Sequence, residues 1–291
     1  MKAILLAGGM GSRLYPVTFG VSKQLLPVYD KPMIYYPLSV LLMANIKEIL
    51  LISTKEDINS YRRLLDDGTQ FGISIEYKIQ NQPNGLAEAF ILGEEFIGKD
   101  SVCLILGDNI FYGLDFTEKL EIVVKRTIYE GRGTIFSYPV SDPKRYGVIE
   151  YDDDGNALSI EEKPDDPKSN NVVVGLYFYP NSVIKIAKKI SPSKRGELEI
   201  TSINEYFLKE KKLNVEPLNQ EFIWLDTGTL QSLIDAGQFI ETIEKRKGIK
   251  VACLEELAFQ KGYINKKQLI QSASKMDGTS YGNYLKNKYF Q

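Results

Sequence analysis

Gly8, Gly9 and Gly11 run directly into Ser12 and Arg13, and Lys23 and Gln24 follow in the segment Ser22-Lys23-Gln24-Leu25-Leu26-Pro27-Val28. A glycine-rich loop after an apolar run bares backbone N–H groups that can cradle a phosphate chain, and two nearby cations can neutralise its charge. Spacing excludes the two best-known loops of this kind. In the P-loop pattern GxxxxGK(S/T), the second glycine would have to be Arg13 counting from Gly8, or Leu14 counting from Gly9. In the dinucleotide pattern GxGxxG, started at Gly9, the third glycine falls on Leu14, and Ser53-Thr54-Lys55 offers no acidic residue for a ribose.

Further polar residues stand at the ends of apolar runs. Asp108 follows VCLILG and Asp226 follows FIWL. Two strand-end carboxylates can share one hard divalent cation beside phosphates, although a carboxylate in this position can equally cap a helix. Gln80 to Ala87 (QNQPNGLA) and Glu161-Glu162-Lys163-Pro164 also have ordinary uses, as a turn with a helix start and as a charged hairpin end. Trp224, the single tryptophan, suits a core position as well as a binding one. There is no histidine in the 291 residues, which rules out Ser-His-Asp triads, HExxH zinc sites and imidazole bases. Catalysis must use carboxylates, lysines, arginines, backbone dipoles or a hard metal.

Positioning these residues takes a sheet. KAILLA (2–7), EILLIS (48–53), SIEYKI (74–79) and VCLILG (102–107) have the length and composition of strands covered on both faces, with helices expected over 37–45, 57–65 and 86–96. This alternation predicts an α/β fold: a mostly parallel, Rossmann-like sheet covered by helices, with ligands at the carboxyl ends of the strands. From 133 to 218 the texture is β-rich (GTIFSYPV, GVIEYD, ALSIEEKP, VVVGLYFYP), with a hairpin turn at DDDGN (152–156) and a helix-like SVIKIAKKI. A returning strand at 222–229, a helix over 230–247 and short helical pieces in 250–291 complete the reading. The expected organisation is a core over 1–249, made of a half over 1–110 and a half over 111–249, plus a helical C-terminal region over 250–291. That tail carries many apolar residues, Leu254, Ile264, Leu269, Tyr281 and Leu285 among them, which something must cover.

The 36 Lys+Arg against 38 Asp+Glu leave a net charge of -2, with no general attraction to nucleic acid or to acidic membranes. No apolar run is long enough to span a bilayer, and a cytoplasmic chain is expected. Cys103 and Cys253 lie in apolar stretches, which supports neither a disulfide framework nor a thiolate metal cluster.

GGMGSRLYPVT followed by SKQLLPV resembles the signature GGxGxRLxPxTxxxxKxLxPV of the sugar-1-phosphate nucleotidylyltransferases at every fixed position. The likeness extends over essentially the whole chain through GDNIFYG, DPKRYGVIE, EEKP and WLDTGT, and it is strongest to the long-form thymidylyltransferase branch, bacterial homotetramers. What it implies is condensation of dTTP with glucose 1-phosphate, dependent on Mg²⁺, with UTP or CTP chemistry or a non-catalytic sugar-nucleotide sensor as alternatives. It makes Arg13, Lys23 and Lys163 catalytic. Gly8, Gly9, Gly11, Ser12, Gln24, Gln80, Pro83, Gly85 and Asp108 join Arg13 and Lys23 in holding the nucleotide, with Gln80 reading the base and Gly85 admitting close backbone approach to it. Asn109, Tyr146, Gly147, Glu162, Lys163, Val173, Tyr177 and Trp224 fall to the sugar phosphate, and Asp108 and Asp226 to the metal. The tail is implied to build a subunit interface and a second site through which a dTDP-sugar end product inhibits.

Overall fold

The computed structural model describes residues 1–219 and 221–290. Its strands, in chain order, are β1 (Lys2–Leu6), β2 (Pro27–Val28), β3 (Lys31–Pro32), β4 (Glu48–Ser53), β5 (Ser74–Ile79), β6 (Val102–Leu106), β7 (Asn109–Tyr112), β8 (Gly133–Pro139), β9 (Gly147–Tyr151), β10 (Ala157–Glu162), β11 (Asn171–Tyr179), β12 (Leu213–Pro217) and β13 (Ile223–Asp226). The helices are α1 (Tyr35–Met43), α2 (Ile58–Leu65), α3 (Glu88–Leu92), α4 (Glu94–Ile97), α5 (Phe116–Glu130), α6 (Val183–Ala187), α7 (Ile200–Lys209), α8 (Leu230–Lys247), α9 (Leu254–Gln260), α10 (Lys266–Lys275) and α11 (Ser280–Tyr289). They form two compact units: residues 1–6, 80–106 and 112–224 in one, and 7–79, 107–111 and 225 onward in the other.

The fold is α/β, with the central strands parallel and flanked by helices. In the first unit β1 and β6 pair in parallel, Lys2 opposite Val102 through Leu6 opposite Leu106. Ala3, Ile4, Leu5 and Val102 to Ile105 are fully buried, as continuous apolar runs covered on both faces must be. Antiparallel strands are added around β11, which pairs with β6, β8 and β9, while β10 folds back on β9 and β12 lies parallel to β8. In the second unit β4 and β5 pair in parallel. The fully buried run is β4. In β5 only Ile75 is buried, because the strand has β4 on one side and no strand on the other; SIEYKI is an edge and not the doubly covered strand its composition suggests.

Helix positions depart from expectation in three places. Two residues precede Pro37 in α1, so the proline stands in the first turn, where its missing N–H removes no intrahelical bond. The helix expected over 86–96 breaks at Gly93 into α3 and α4, in line with glycine's poor helix propensity. Helices α5 and α7 fall in stretches read as loop or β-rich. The first nevertheless has a clear helical period, burying Phe116, Leu120, Val123 and Thr127.

The tail, α9 to α11, is covered by its own chain. Leu254, Leu269 and Leu285 are fully buried, and a Cβ on Gly72 would come within 2.3 Å of the Tyr263 carbonyl oxygen, so that glycine is what lets the tail dock. Both cysteines are buried, and among the described residues no helix is long and apolar enough to cross a membrane.

Candidate active site

In the second unit, the glycine loop begins at Ala7, whose N–H donates to the Ile52 carbonyl at the end of β4 and whose carbonyl accepts from Ser53 Oγ (2.8 Å) and from the Tyr61 hydroxyl (3.2 Å). Gly9 and Gly11 sit at φ +103° and +59°. At Gly9 a Cβ would meet nothing within 4 Å, so it is the left-handed backbone that calls for glycine there. Leu14 is fully buried and pins the loop, leaving Ser12 and Arg13 exposed. Gln24 is buried instead: its Oε1 accepts from Ser22 Oγ (3.0 Å) and Tyr61 OH (3.2 Å) behind the loop. Burial pushes the Tyr61 phenol well above its ordinary pKa, keeping it a neutral donor.

Lys23 Nζ lies 2.5 Å from Asp108 Oδ2, and Asn109 Nδ2 donates to Asp108 Oδ1 at 2.9 Å. Thr227, next to Asp226, donates from Oγ1 to the Asp108 carbonyl at 2.8 Å, so the two strand-end aspartates are tied to one another through the main chain. Among the described residues no cluster of three or more His, Cys, Asp or Glu side chains is arranged to enclose a metal. The donor set still fits a hard divalent ion. Asp108 already holds a cation, the Lys23 ammonium, and an ion at Asp108 and Asp226 would take its other ligands from phosphate oxygens and water.

In the first unit, Gln80 Nε2 donates to Glu88 Oε2 at 2.6 Å and Asn84 Nδ2 to Glu88 Oε1 at 2.8 Å. Gly85 has φ +106°, and a Cβ there would lie 2.4 Å from the Leu198 carbonyl oxygen. The close approach this glycine permits is therefore to the Leu198 main chain, which bonds to Asn84 and Ala87 on either side of it. Pro83 is exposed. The turn after β10 carries Lys163 at φ +46°, with its N–H donating to the Tyr146 carbonyl (2.9 Å) and its ammonium 3.6 Å from Glu162 Oε1. Glu162 Oε2 accepts from Thr201 Oγ1 at 2.5 Å, and Arg195 stands 3.4 Å from Oε1. A Cβ on Gly147 would meet Thr201 Oγ1 at 3.2 Å and the Val173 side chain at 3.8 Å. The Trp224 ring packs edge-on against Tyr146 at 5.3 Å, and Val173 and Tyr177 are buried along β11. The second unit thus brings the glycine loop together with Lys23, Gln24, Asp108 and Asn109, and the first gathers Tyr146, Gly147, Glu162, Lys163, Val173 and Trp224, with Gln80 held on Glu88. Tyr61, Glu88, Arg195, Thr201 and Thr227, which the sequence reading missed, are what hold them.

Chain-wide comparison decides the kinship. The family model described as nucleotidyl transferase matches residues 2–243. The chain belongs to the nucleotidyl transferase family. Glucose-1-phosphate thymidylyltransferases of Neisseria gonorrhoeae and Mycobacterium tuberculosis are each 53% identical to it over 98% of both chains. A Bacillus anthracis structure, titled as a candidate glucose-1-phosphate thymidylyltransferase in complex with a sucrose, superposes with a TM-score of 0.76 at 39% identity, covering 82% of this chain and 94% of that one. A UDP-glucose pyrophosphorylase complexed with UDP-glucose shares the fold at 23% identity, with a TM-score of 0.71 over 83% of this chain and 98% of that one. Membership of the nucleotidyl transferase family implies a divalent metal requirement.

Proposed function

We propose that the chain condenses dTTP with α-D-glucose 1-phosphate to give dTDP-glucose and pyrophosphate, the first step towards dTDP-sugars such as dTDP-rhamnose. The observation that carries this reading is the Lys23–Asp108 pair beside a left-handed glycine loop, in a chain 53% identical to thymidylyltransferases over nearly all its length. An oxygen of the sugar phosphate, already anionic at neutral pH, attacks the α-phosphorus as the bond to the β-phosphate oxygen breaks in line. No general base is required, which is why a histidine-free chain suffices; the task is to bring anions together and to neutralise charge.

Arg13, exposed on the loop, and Lys23 meet the leaving pyrophosphate, and the amides of Gly8 to Ser12 hold the phosphate chain. Lys163 holds the attacking phosphate. Glu162, fixed by Thr201 and Arg195, accepts from sugar hydroxyls, with Asn109, Tyr146, Gly147, Val173, Tyr177 and Trp224 completing the sugar's contacts. A divalent ion, Mg²⁺ in this reading, held by Asp108 and Asp226 supplies Lewis-acid charge neutralisation at phosphate oxygens when bound. Residues 1–110 serve mainly the nucleotide, 111–249 the sugar phosphate, and 250–291 an interface and regulation, in a cytoplasmic homotetramer inhibited by a dTDP-sugar. Exposed Ile122 and Tyr129 on α5 and Leu230 and Ile234 on α8 support assembly. Pyrophosphate release from four nucleoside triphosphates against three sugar 1-phosphates tests the reading. It fails if dTTP with glucose 1-phosphate is not among the best pairs.

A further inference from the structure

We infer that Glu88 is a specificity-determining residue, which fixes the amide of Gln80 in one of its two orientations and thereby selects pyrimidines that carry an N3–H over those that carry a 4-amino group. The inference rests on the proposed function and on the base-reading role that the family resemblance gives Gln80. A carboxylate can only accept hydrogen bonds. Glu88 accepts one from Gln80 Nε2 at 2.6 Å and one from Asn84 Nδ2 at 2.8 Å, so each oxygen has its own donor and the carboxylate is held from two sides. Asn84 cannot drift away with it, because its carbonyl accepts from Leu198 N–H at 2.7 Å and the adjoining Gly85 is in tight contact with the Leu198 main chain.

With one hydrogen of Nε2 given to Glu88, the Gln80 amide has one N–H and Oε1 left, in a set order. That order matches the N3–H and O4 of thymine or uracil: Oε1 accepts from N3–H and Nε2 donates to O4. Cytosine presents the reverse, an acceptor at N3 and a donor at N4. To pair with it the amide must turn over, which brings Oε1 against the Glu88 carboxylate and breaks the 2.6 Å bond. Glu88 does not need to touch the base to exert this choice; it is a positioning residue acting through Gln80.

The test is a cycle of Glu88→Gln, Gln80→Ala and the double variant, with kcat/KM measured for dTTP, dUTP and dCTP and KM for glucose 1-phosphate. Glutamine at 88 is near-isosteric but both donates and accepts, so either orientation of Gln80 becomes compatible with it. The preference of the wild type for dTTP over dCTP is expected to shrink about tenfold or more, in the range of one bidentate base contact. The dTTP to dUTP ratio and the KM for glucose 1-phosphate are expected to hold, since uracil presents the same edge as thymine. In the Gln80→Ala background the Glu88 change is expected to add nothing. An unchanged dTTP to dCTP ratio in Glu88→Gln overturns the assignment, as does a shift of the same size in the Gln80→Ala background. A wild type active on dTTP but without preference over dCTP overturns the orientation lock and leaves the proposed reaction standing, whereas a wild type that turns over none of the three nucleotides overturns both.

Discussion

Glu244, near the end of α8, has a side chain only 3% exposed and receives Lys31 Nζ at 2.9 Å, Lys250 Nζ at 2.6 Å and the Val251 N–H at 2.9 Å. Asp30 contacts the same two ammonium groups, so two cations and two anions form a buried neutral quartet. Glu244→Ala leaves both ammonium groups sharing one carboxylate, with the Lys31 side chain only 2% exposed to solvent. Removing one partner from a buried ion pair costs about 3–5 kcal/mol. Lys31 keeps ring contacts with Tyr36 and Tyr281, and Lys250 with Tyr29, which places the expected loss towards the lower end, about 3 kcal/mol. Urea denaturation measures this directly. Hydrogen exchange over residues 251–290 is expected to quicken at the same time, because Lys250 and Val251 lead into the tail. Combining Lys31→Met with Glu244→Leu removes one charge of each sign and is expected to recover stability over the single variant. A loss below about 1 kcal/mol in Glu244→Ala, with tail exchange unchanged, would refute the view that this quartet fastens the tail.

The quartet also sets an acid limit: burial works against ionisation of Asp30, but its bonds to Lys250 and Lys31 outweigh this and hold the carboxyl below its ordinary pKa. A depressed carboxylate contributes stability that is present above the unfolded value of about 4 and lost as pH falls through the folded one, so Asp30→Asn is expected to flatten the stability profile below about pH 4, checked by denaturation across pH. Asp226→Asn is expected to lower kcat by about a hundredfold or more at saturating divalent metal while leaving the melting curve in place; an unchanged kcat removes Asp226 from the metal's ligands. Gly85→Ala combines a left-handed backbone with overlap on Leu198 and is expected to cost about 3 kcal/mol in denaturant titration.

What the sequence discloses follows the range of the interactions involved. The glycine loop, Arg13 and Lys23 are local, and their spacing alone separates them from other phosphate loops. Asp108 and Asp226 are recognisable as strand ends, but the Thr227 bond that ties them spans more than a hundred residues and leaves no trace in either segment. Tyr61 reads as one apolar position on the amphipathic α2, and nothing in that pattern reveals a hydroxyl aimed at Ala7 and Gln24. Glu88 reads as a plain first-turn acid of α3, and its bond to Asn84 depends on the loop conformation at Gly85, which no helical spacing reveals. At Gly85 the need for a bare backbone is legible and the packing of Leu198 against it is not, because Leu198 lies far along the chain. EILLIS is apolar at four successive positions, whereas SIEYKI alternates polar and apolar residues, a pattern that already fits the edge strand it forms.

The second unit draws on residues 7–79 and on 225 onward. A ribosome therefore releases the first portion long before the portion that completes it. In the interval α1, buried along nearly its whole length in the finished fold and packed there against α9, has no partner for the face that α9 covers. Sequence separation of this size slows closure, since the loop must be ordered before its contacts repay it. The nascent chain thus carries an uncovered apolar helix until α9 has been made, some two hundred residues after α1, and that helix ends the exposure.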